Sequence, residues 1–299
     1  MADSSLLYGR IIKVHIGDDS GTLQFTNDLF EIRFEVPFDH DSKPNVSTVQ
    51  IFNLTKDTIN KIKKDKNITV IAGYAGDYGV LVEGKITRAL TKYEGVDKIT
   101  TITFKEGTDY SGVKVTSETA DPAEKYYVKK RIKGKTAKVE KNRKQTMQIT
   151  FAKGVTGKQI ITRLTGILGI KPTEISLPKD KVYKTGYKVT GKIEDSLLTV
   201  VKDCGARMYW RRGKMVIRSI EAGNDERFEL SEETGLIETP SEFEDDEGKG
   251  YTVRCLLQHR ITIASIIDIK SSSANGKFRA RAGKHYCDGT DFATDFEVI

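Results

Sequence analysis

Val46-Ser47-Thr48-Val49-Gln50-Ile51-Phe52 alternates apolar and polar side chains, and Thr252-Val253-Arg254-Cys255-Leu256-Leu257 repeats both type and alternation near the other end of the chain. A period of two places apolar side chains on one face of a half-buried strand. Both ends therefore read as sheet. Around the first stretch, Phe30-Glu31-Ile32-Arg33-Phe34-Glu35-Val36 and Ile68-Thr69-Val70-Ile71 share the period, and Pro37, Pro44, Ala75-Gly76-Asp77 and Glu94-Gly95 supply turns between them. The exception runs from Thr55 to Lys64, where Thr55 can cap a short helix that carries Ile59 and Ile62 on one face. Tyr8 to Phe104 thus predicts a β-barrel or sandwich with a small helix.

From Thr156 the period changes. Thr156-Gly157-Lys158-Gln159 has the form of a capping box, and Ile160, Leu164, Ile167 and Leu168 follow at helical spacing before Gly169. A second helix, about Ile193 to Cys204, presents Leu197, Leu198, Val201 and Cys204 and stops at Gly205. Met208-Tyr209-Trp210, the turn Arg211-Arg212-Gly213-Lys214 and Met215-Val216-Ile217 read as a hairpin. Together these predict a middle α+β unit.

The last third returns to strands and echoes the first in three places. Thr48–Leu54 matches Thr252–Leu257, with Pro37 and Pro240 upstream; Asn67–Ala72 matches His259–Ala264, the Thr55–Lys64 helix being an insertion; and Tyr93-Glu94-Gly95-Val96-Asp97 matches Tyr286-Cys287-Asp288-Gly289-Thr290-Asp291. Three matches in one order point to a duplicated unit. The expected fold is mainly β with an α+β middle: a barrel over residues 1–110, an α+β domain over 111–222, and a second barrel over 223–299. Three copies of such a chain present six similar barrels, which can cap a hexamer without a symmetry gap.

The chain has 299 residues, 37% hydrophobic and 30% charged, which reads as soluble and globular rather than disordered. No stretch approaches the roughly 18 apolar residues needed to cross a bilayer. The start, Met-Ala-Asp-Ser-Ser-Leu-Leu, lacks the basic and apolar segments of a signal peptide, so synthesis in the cytoplasm is expected. Three scattered cysteines, Cys204, Cys255 and Cys287, make no disulfide framework and are expected as reduced thiols. The formal charge of +7 is concentrated in one segment. Lys129, Lys130, Arg131, Lys133, Lys135, Lys138, Lys141, Arg143 and Lys144 stand against the single acid Glu140, a local net of +8 that leaves the remainder at −1.

Phe34-Glu35-Val36-Pro37-Phe38-Asp39, Lys43-Pro44-Asn45-Val46 through Leu54, Ala72-Gly73-Tyr74 and Gly84-Lys85-Ile86 resemble the N-terminal barrel of bacteriophage baseplate hub proteins. Gly235-Leu236-Ile237-Glu238-Thr239-Pro240, Gly250-Tyr251 through Leu257 and Asn275-Gly276-Lys277-Phe278-Arg279 resemble the end of the same family, and Gly166-Ile167-Leu168-Gly169-Ile170 fits its middle helix. The resemblance spans almost the whole chain. It implies two tail-tube-like barrels flanking the middle domain, in a homotrimer of pseudo-sixfold symmetry at the distal end of the tail, assembled in the host cytoplasm. Its partners would be the tail tube or a tube-initiator protein, the central spike, other baseplate proteins, and the tape-measure protein and DNA passing through the channel. The family pattern does not accommodate Asp121 to Thr150, the stretch that carries the excess charge.

Residue chemistry also raises other readings. Cys255 with His259 and His285 with Cys287 have even spacings that place each pair on one face of a strand, as a catalytic thiol would require; against this, Cys255 occupies the position of Ile51, a core residue. Zinc would need these pairs to meet, and no C-x-x-C supports it. Glu242, Glu244, Asp245, Asp246 and Glu247 read as a solvated loop, not the isolated carboxylate pair of a cell-wall hydrolase. Asp18-Asp19-Ser20-Gly21 is a turn without the spacing of a calcium loop. No phosphate-binding glycine motif or nucleophile elbow occurs. Lys129 to Lys144 would give steeply salt-dependent DNA binding if it met phosphates, yet only Tyr126 and Tyr127 at its margin offer stacking, so an acidic protein neighbour is the favoured contact. The expectation is a structural protein without catalysis, metal or cofactor.

Overall fold

The alternation seen in sequence becomes alternate burial. In a computed structural model that describes residues 7–18, 21–123, 125–132, 135–142, 144–222, 226–246 and 248–299, the first strands are β1 (Arg10–Asp18), β2 (Gly21–Thr26), β3 (Ile32–Phe38) and β4 (Val46–Phe52). Helix α1 (Lys56–Lys61) and strands β5 (Asn67–Tyr74), β6 (Asp77–Glu94) and β7 (Asp97–Lys105) follow. Phe34, Val36, Val49, Ile51, Ile68, Val70, Ile102 and Phe104 all point into one core. The strand order is β3-β4-β7-β6-β5-β1-β2, and both ends feed that core, Phe25 from β2 and Ile32 from β3, so the sheet curls around it. Thr55 caps α1 by accepting from the Thr58 N–H, and Ile59 and Ile62 pack on the core.

The chain divides into two compact units, Met1–Thr108 with Arg207–Ile299, and Asp109–Ala206. The second contains β8 (Lys125–Ile132), β9 (Lys135–Asn142), β10 (Gln148–Phe151), β11 (Val155–Thr156), α2 (Gly157–Leu168), β12 (Glu174–Ile175), β13 (Val182–Tyr183), β14 (Tyr187–Thr190) and α3 (Ile193–Asp203). Thr156 and Gln159 form the reciprocal capping box expected at the start of α2, and Gly169, at φ +70°, ends it in the left-handed region. Ile160, Ile161, Leu164 and Leu168 of α2 and Leu197, Val200 and Val201 of α3 are buried where the two helices pack together. Cys204 follows α3 as its C-cap.

The chain then returns to the first unit through β15 (Arg207–Arg211), β16 (Lys214–Arg218), β17 (Arg227–Leu230), β18 (Ser241–Asp245), β19 (Gly248–Leu256), β20 (Ile266–Lys270), β21 (Asn275–Cys287) and β22 (Phe292–Val298). The β15–β16 hairpin, expected in the 111–222 domain, lies in this unit because Tyr209 and Val216 are buried in a core with Val253, Cys255, Ile267 and Phe296. That second core is joined to the first by pairing of β21 with β3, Gly283 opposite Phe38 and Cys287 opposite Phe34.

The two halves of this unit share an order, β3-β4-β7-β6-β5 in one and β18-β19-β22-β21-β20 in the other. The likeness extends to register. Ile51↔Thr100 corresponds to Cys255↔Thr294, and Glu35↔Thr48 to Ser241↔Thr252. Ile86↔Phe104 and Arg88↔Thr103 flank a bulge, and Ala280↔Val298 and Ala282↔Glu297 flank another at the same place. Both hairpins turn at a glycine with positive φ, Gly95 at +61° and Gly289 at +103°, a conformation that glycine adopts without steric cost. The counterpart of β5 is not His259–Ala264 but β20, since Asn67↔Lys85 corresponds to Ile266↔Arg279. In Arg260–Ser265 side-chain bonds hold turns instead of a strand: the Thr262 N–H donates to Ser265 Oγ, Ser265 Oγ donates to the Arg260 carbonyl, and Ala264 sits at φ +66°. The halves differ beyond this point, as β1 runs antiparallel to β5 whereas β17 runs parallel to β20.

Candidate assembly surface

The basic segment folds as an antiparallel hairpin of β8 and β9. Lys129 is opposite Lys138, Lys130 opposite Ala137, Arg131 opposite Thr136, and Lys135 opposite Ile132. Lys141 lies opposite Tyr126 and the acid Glu140 opposite Tyr127, while exposed Lys144 follows the strand. Lys133 and Arg143 lie outside the described residues, as do Asp19, Ser20 and Glu247 of the two acidic stretches. Like charges placed opposite one another repel. The pairing thus brings like charges together in register, and the segment gains by meeting anionic groups.

The cysteine and histidine pairs resolve into packing. Cys204, Cys255 and Cys287 are all buried and free. Burial pushes the Cys255 and Cys287 thiols up, away from the thiolate that nucleophilic chemistry needs. His285, 2% exposed, lies on β21 with its Nδ1 2.8 Å from Thr294 Oγ1, and burial pushes its pKa down to about 3. His259 is not on the strand with Cys255 as the spacing implied, because β19 ends at Leu256. It lies instead beside Asp77, which accepts from Arg260 Nη2 at 2.6 Å and from Gln258 Nε2 at 3.2 Å, while Arg212 donates to the His259 carbonyl at 2.7 Å. Burial first, and then Arg260 and Arg212, hold His259 below its usual value against the opposing pull of Asp77. Among the described residues no cluster of three or more His, Cys, Asp or Glu is placed to hold a metal.

The acidic run differs from the expected loop. Ser241–Asp245 is a strand, β18, paired only on its β19 side among the described residues. Glu242, Glu244 and Asp245 are exposed on it, with Asp245 2.8 Å from Arg281 Nη2 and Glu244 3.1 Å from Lys249.

Sequence reasoning missed Glu106. It follows β7 and is 6% exposed, with Asn45 Nδ2 donating to Oε1 at 2.8 Å and the Gly213 N–H donating to Oε2 at 3.3 Å. Desolvation raises its pKa to about 7. It borders a cleft with Thr69, Glu83, Lys105 and Trp210. The only sequence signal was an acid followed by glycine at a strand end; Gly107 leaves room for the Trp210 ring, with which a Cβ there would clash. Both carboxyl oxygens accept bonds from structural donors, so Glu106 ties the start of β4 to the β15–β16 turn.

No protein-family model and no curated protein matches the chain. Solved structures do match. The 43 kDa tail protein of prophage MuSo2 from Shewanella oneidensis aligns at 9% identity and a TM-score of 0.62, over 97% of this chain and 98% of that one. The tail protein from Neisseria meningitidis MC58 aligns at 9% identity and 0.59, over 97% and 96%. An E. coli component of the type VI secretion system, itself described as similar to the T4 bacteriophage tail proteins gp27 and gp5, aligns at 10% identity and 0.53, over 90% and 73%. The chain has the fold of phage tail proteins, mainly β with two packed helices in the Asp109–Ala206 unit.

Proposed function

We propose that the chain is a structural baseplate hub of a phage tail or tail-like particle, a homotrimer whose six barrels form a pseudo-sixfold ring. In this reading the ring joins the tail tube, or a tube-initiator protein, to the central spike and leaves a passage for the tape-measure protein and DNA. Other baseplate proteins dock outside it, at the distal tail of the virion. The observation that carries the reading is the repeated strand order and register of the two halves, which supplies two quasi-equivalent units per chain. The fold shared with tail proteins supports it. No catalytic step is assigned to the chain. The β8–β9 hairpin is read as a contact for an acidic protein neighbour, since opposite charges steer partners together.

The test is the mass of the purified chain by light scattering, with electron microscopy of the distal end of the particle. A trimer with a sixfold-like ring is expected. A well-behaved monomer at high concentration that also functions in particles as a monomer overturns the reading. The hydrolase alternative would appear as clearing of a cell-wall suspension.

A further inference from the structure

One joint between the halves is made inside the chain, by β21 and β3, and the corresponding edges of their counterparts β6 and β18 stand open among the described residues. Strand β21 has β22 along one edge at Ala280–Cys287; its other edge takes β20 at Asn275–Arg279 and β3 at Gly283–Cys287. Its counterpart β6 has β7 along one edge at Lys85–Glu94, while on the other β5 covers only Asp77–Lys85. No described strand pairs with that edge beyond Lys85. Exposure reflects the difference. Cys287 is 6% exposed whereas its counterpart Tyr93 is 73% exposed, and His285 is 2% exposed whereas its counterpart Thr91 is half-buried. In the same way β3 lies between β4 and β21, while its counterpart β18 pairs only with β19 among the described residues.

We propose that the outer edge of β6 from Arg88 to Tyr93 pairs, antiparallel, with the outer edge of β18 in a second copy of this chain. The proposal rests on the ring reading and gives it a joint and a register. Transferring the internal pairs, Gly283↔Phe38 becomes Ala89↔Glu244, Lys284↔Pro37 becomes Leu90↔Phe243, and His285↔Val36 becomes Thr91↔Glu242. Tyr286↔Glu35 becomes Lys92↔Ser241, and Cys287↔Phe34 becomes Tyr93↔Pro240. Continuing one residue sets Arg88 opposite Asp245. On that face the joint has a cation facing an anion and Leu90 facing Phe243, where the internal joint has Lys284 Nζ 3.3 Å from Glu35. Pro240, with no N–H to donate, closes the ladder.

The charges also exclude wrong pairings. Two β18 edges would oppose Glu242, Glu244 and Asp245 to one another, and two β6 edges would oppose Arg88 and Lys92. Each edge repels its own kind, so the contact is head-to-tail, and head-to-tail contacts close into rings when the rotation allows. Satisfying the ladder also removes two open edges, which otherwise template aggregation.

The test uses the full chain with Lys92→Cys and Ser241→Cys together. The three native cysteines are buried and stay silent under mild oxidation. Expected is a covalent ladder that ends at the trimer on a denaturing gel, while a mixture of the two single variants gives dimers only. The control Lys92→Cys with Glu242→Cys shifts register by one residue and turns the second thiol to the other face, so its cross-linking should fall by at least about tenfold. A trimer by light scattering that forms no Lys92–Ser241 cross-link, or cross-links equally in the control, overturns the joint but leaves the ring reading standing. A chain that stays monomeric at its highest soluble concentration overturns both.

Discussion

Replacing Glu106 by Gln should change how stability depends on pH, and the size of the change follows from the site. Its carboxyl is buried, accepts from Asn45 and Gly213, and has a pKa raised from 4.5 to about 7. Between those values the folded chain holds a proton that the unfolded chain releases, so stability falls as pH rises through the interval. At about 1.4 kcal/mol for each tenfold change in proton affinity, the loss above pH 7 is about 3 kcal/mol. Gln has the shape of the protonated acid and stays neutral. With Gln Oε1 accepting from the Gly213 N–H and the Asn45 amide turned so that its Oδ1 accepts from Gln Nε2, Glu106→Gln should match the wild type near pH 4.5 and exceed it by up to about 3 kcal/mol at pH 8, or about 6 to 12 °C in Tm for a unit of this size. The wild-type curve alone does not reveal this, because His285 gives the opposite slope from about pH 3 to 6.5 and the two overlap. The assay is thermal unfolding of both proteins across that range, followed by fluorescence of Trp210, the one tryptophan, which sits against Gly107 next to Glu106. Parallel curves with no divergence between pH 4.5 and 8 would refute the argument that burial governs this carboxyl.

His285 should remain neutral in the folded chain well below pH 6, so its imidazole NMR signals should not titrate between pH 8 and 5. Because the unfolded chain does take that proton below about 6.5, the His285 contribution to stability is present above that pH and lost as pH falls toward 3; titration near 6.5 would contradict its burial. Gly107→Ala should cost about 1–3 kcal/mol through its clash with Trp210 and shift the emission of that ring, whereas unchanged emission and Tm would contradict the close approach. Replacing Lys129, Lys130, Arg131, Lys133, Lys135 and Lys138 by Ser should leave Tm unchanged or raise it, since Lys129 faces Lys138, while reducing particle assembly. Retention of the wild type on DNA at ~0.2 M salt, abolished in this variant, would instead make the hairpin a nucleic-acid contact.

Local physics was legible where local forces decide. The period-two stretches became strands, Thr156 and Gln159 became a capping box, and the Gly95 and Gly289 turns aligned the two halves. The alternation in Arg260-Ile261-Thr262-Ile263 misled because Ile261 and Ile263 are buried from turns, where Thr262 and Ser265 satisfy the backbone that a ladder would otherwise satisfy. The acidic Glu242–Asp245 stretch has poor strand propensity, yet an edge position tolerates it because its side chains stay in water. Glu106 was invisible for a different reason. Its environment is assembled by Asn45 and Gly213, far away in sequence, and no window of residues contains all three.

The β3–β21 seam sets a timetable for biosynthesis. Lys284 and Glu35 meet across 249 residues of chain, so β3 must wait for its neighbour while the ribosome adds everything between them, roughly 10 to 50 s at common elongation rates. Asp109–Ala206 is continuous and suffers no such delay. During the interval the nascent amino-terminal sheet exposes a raw flank that any neighbouring nascent chain could capture, which makes crowded polysomes its most hazardous surroundings. Slowing translation after residue 108 should therefore increase insoluble product, while supplying the carboxy-terminal strands in trans should relieve it.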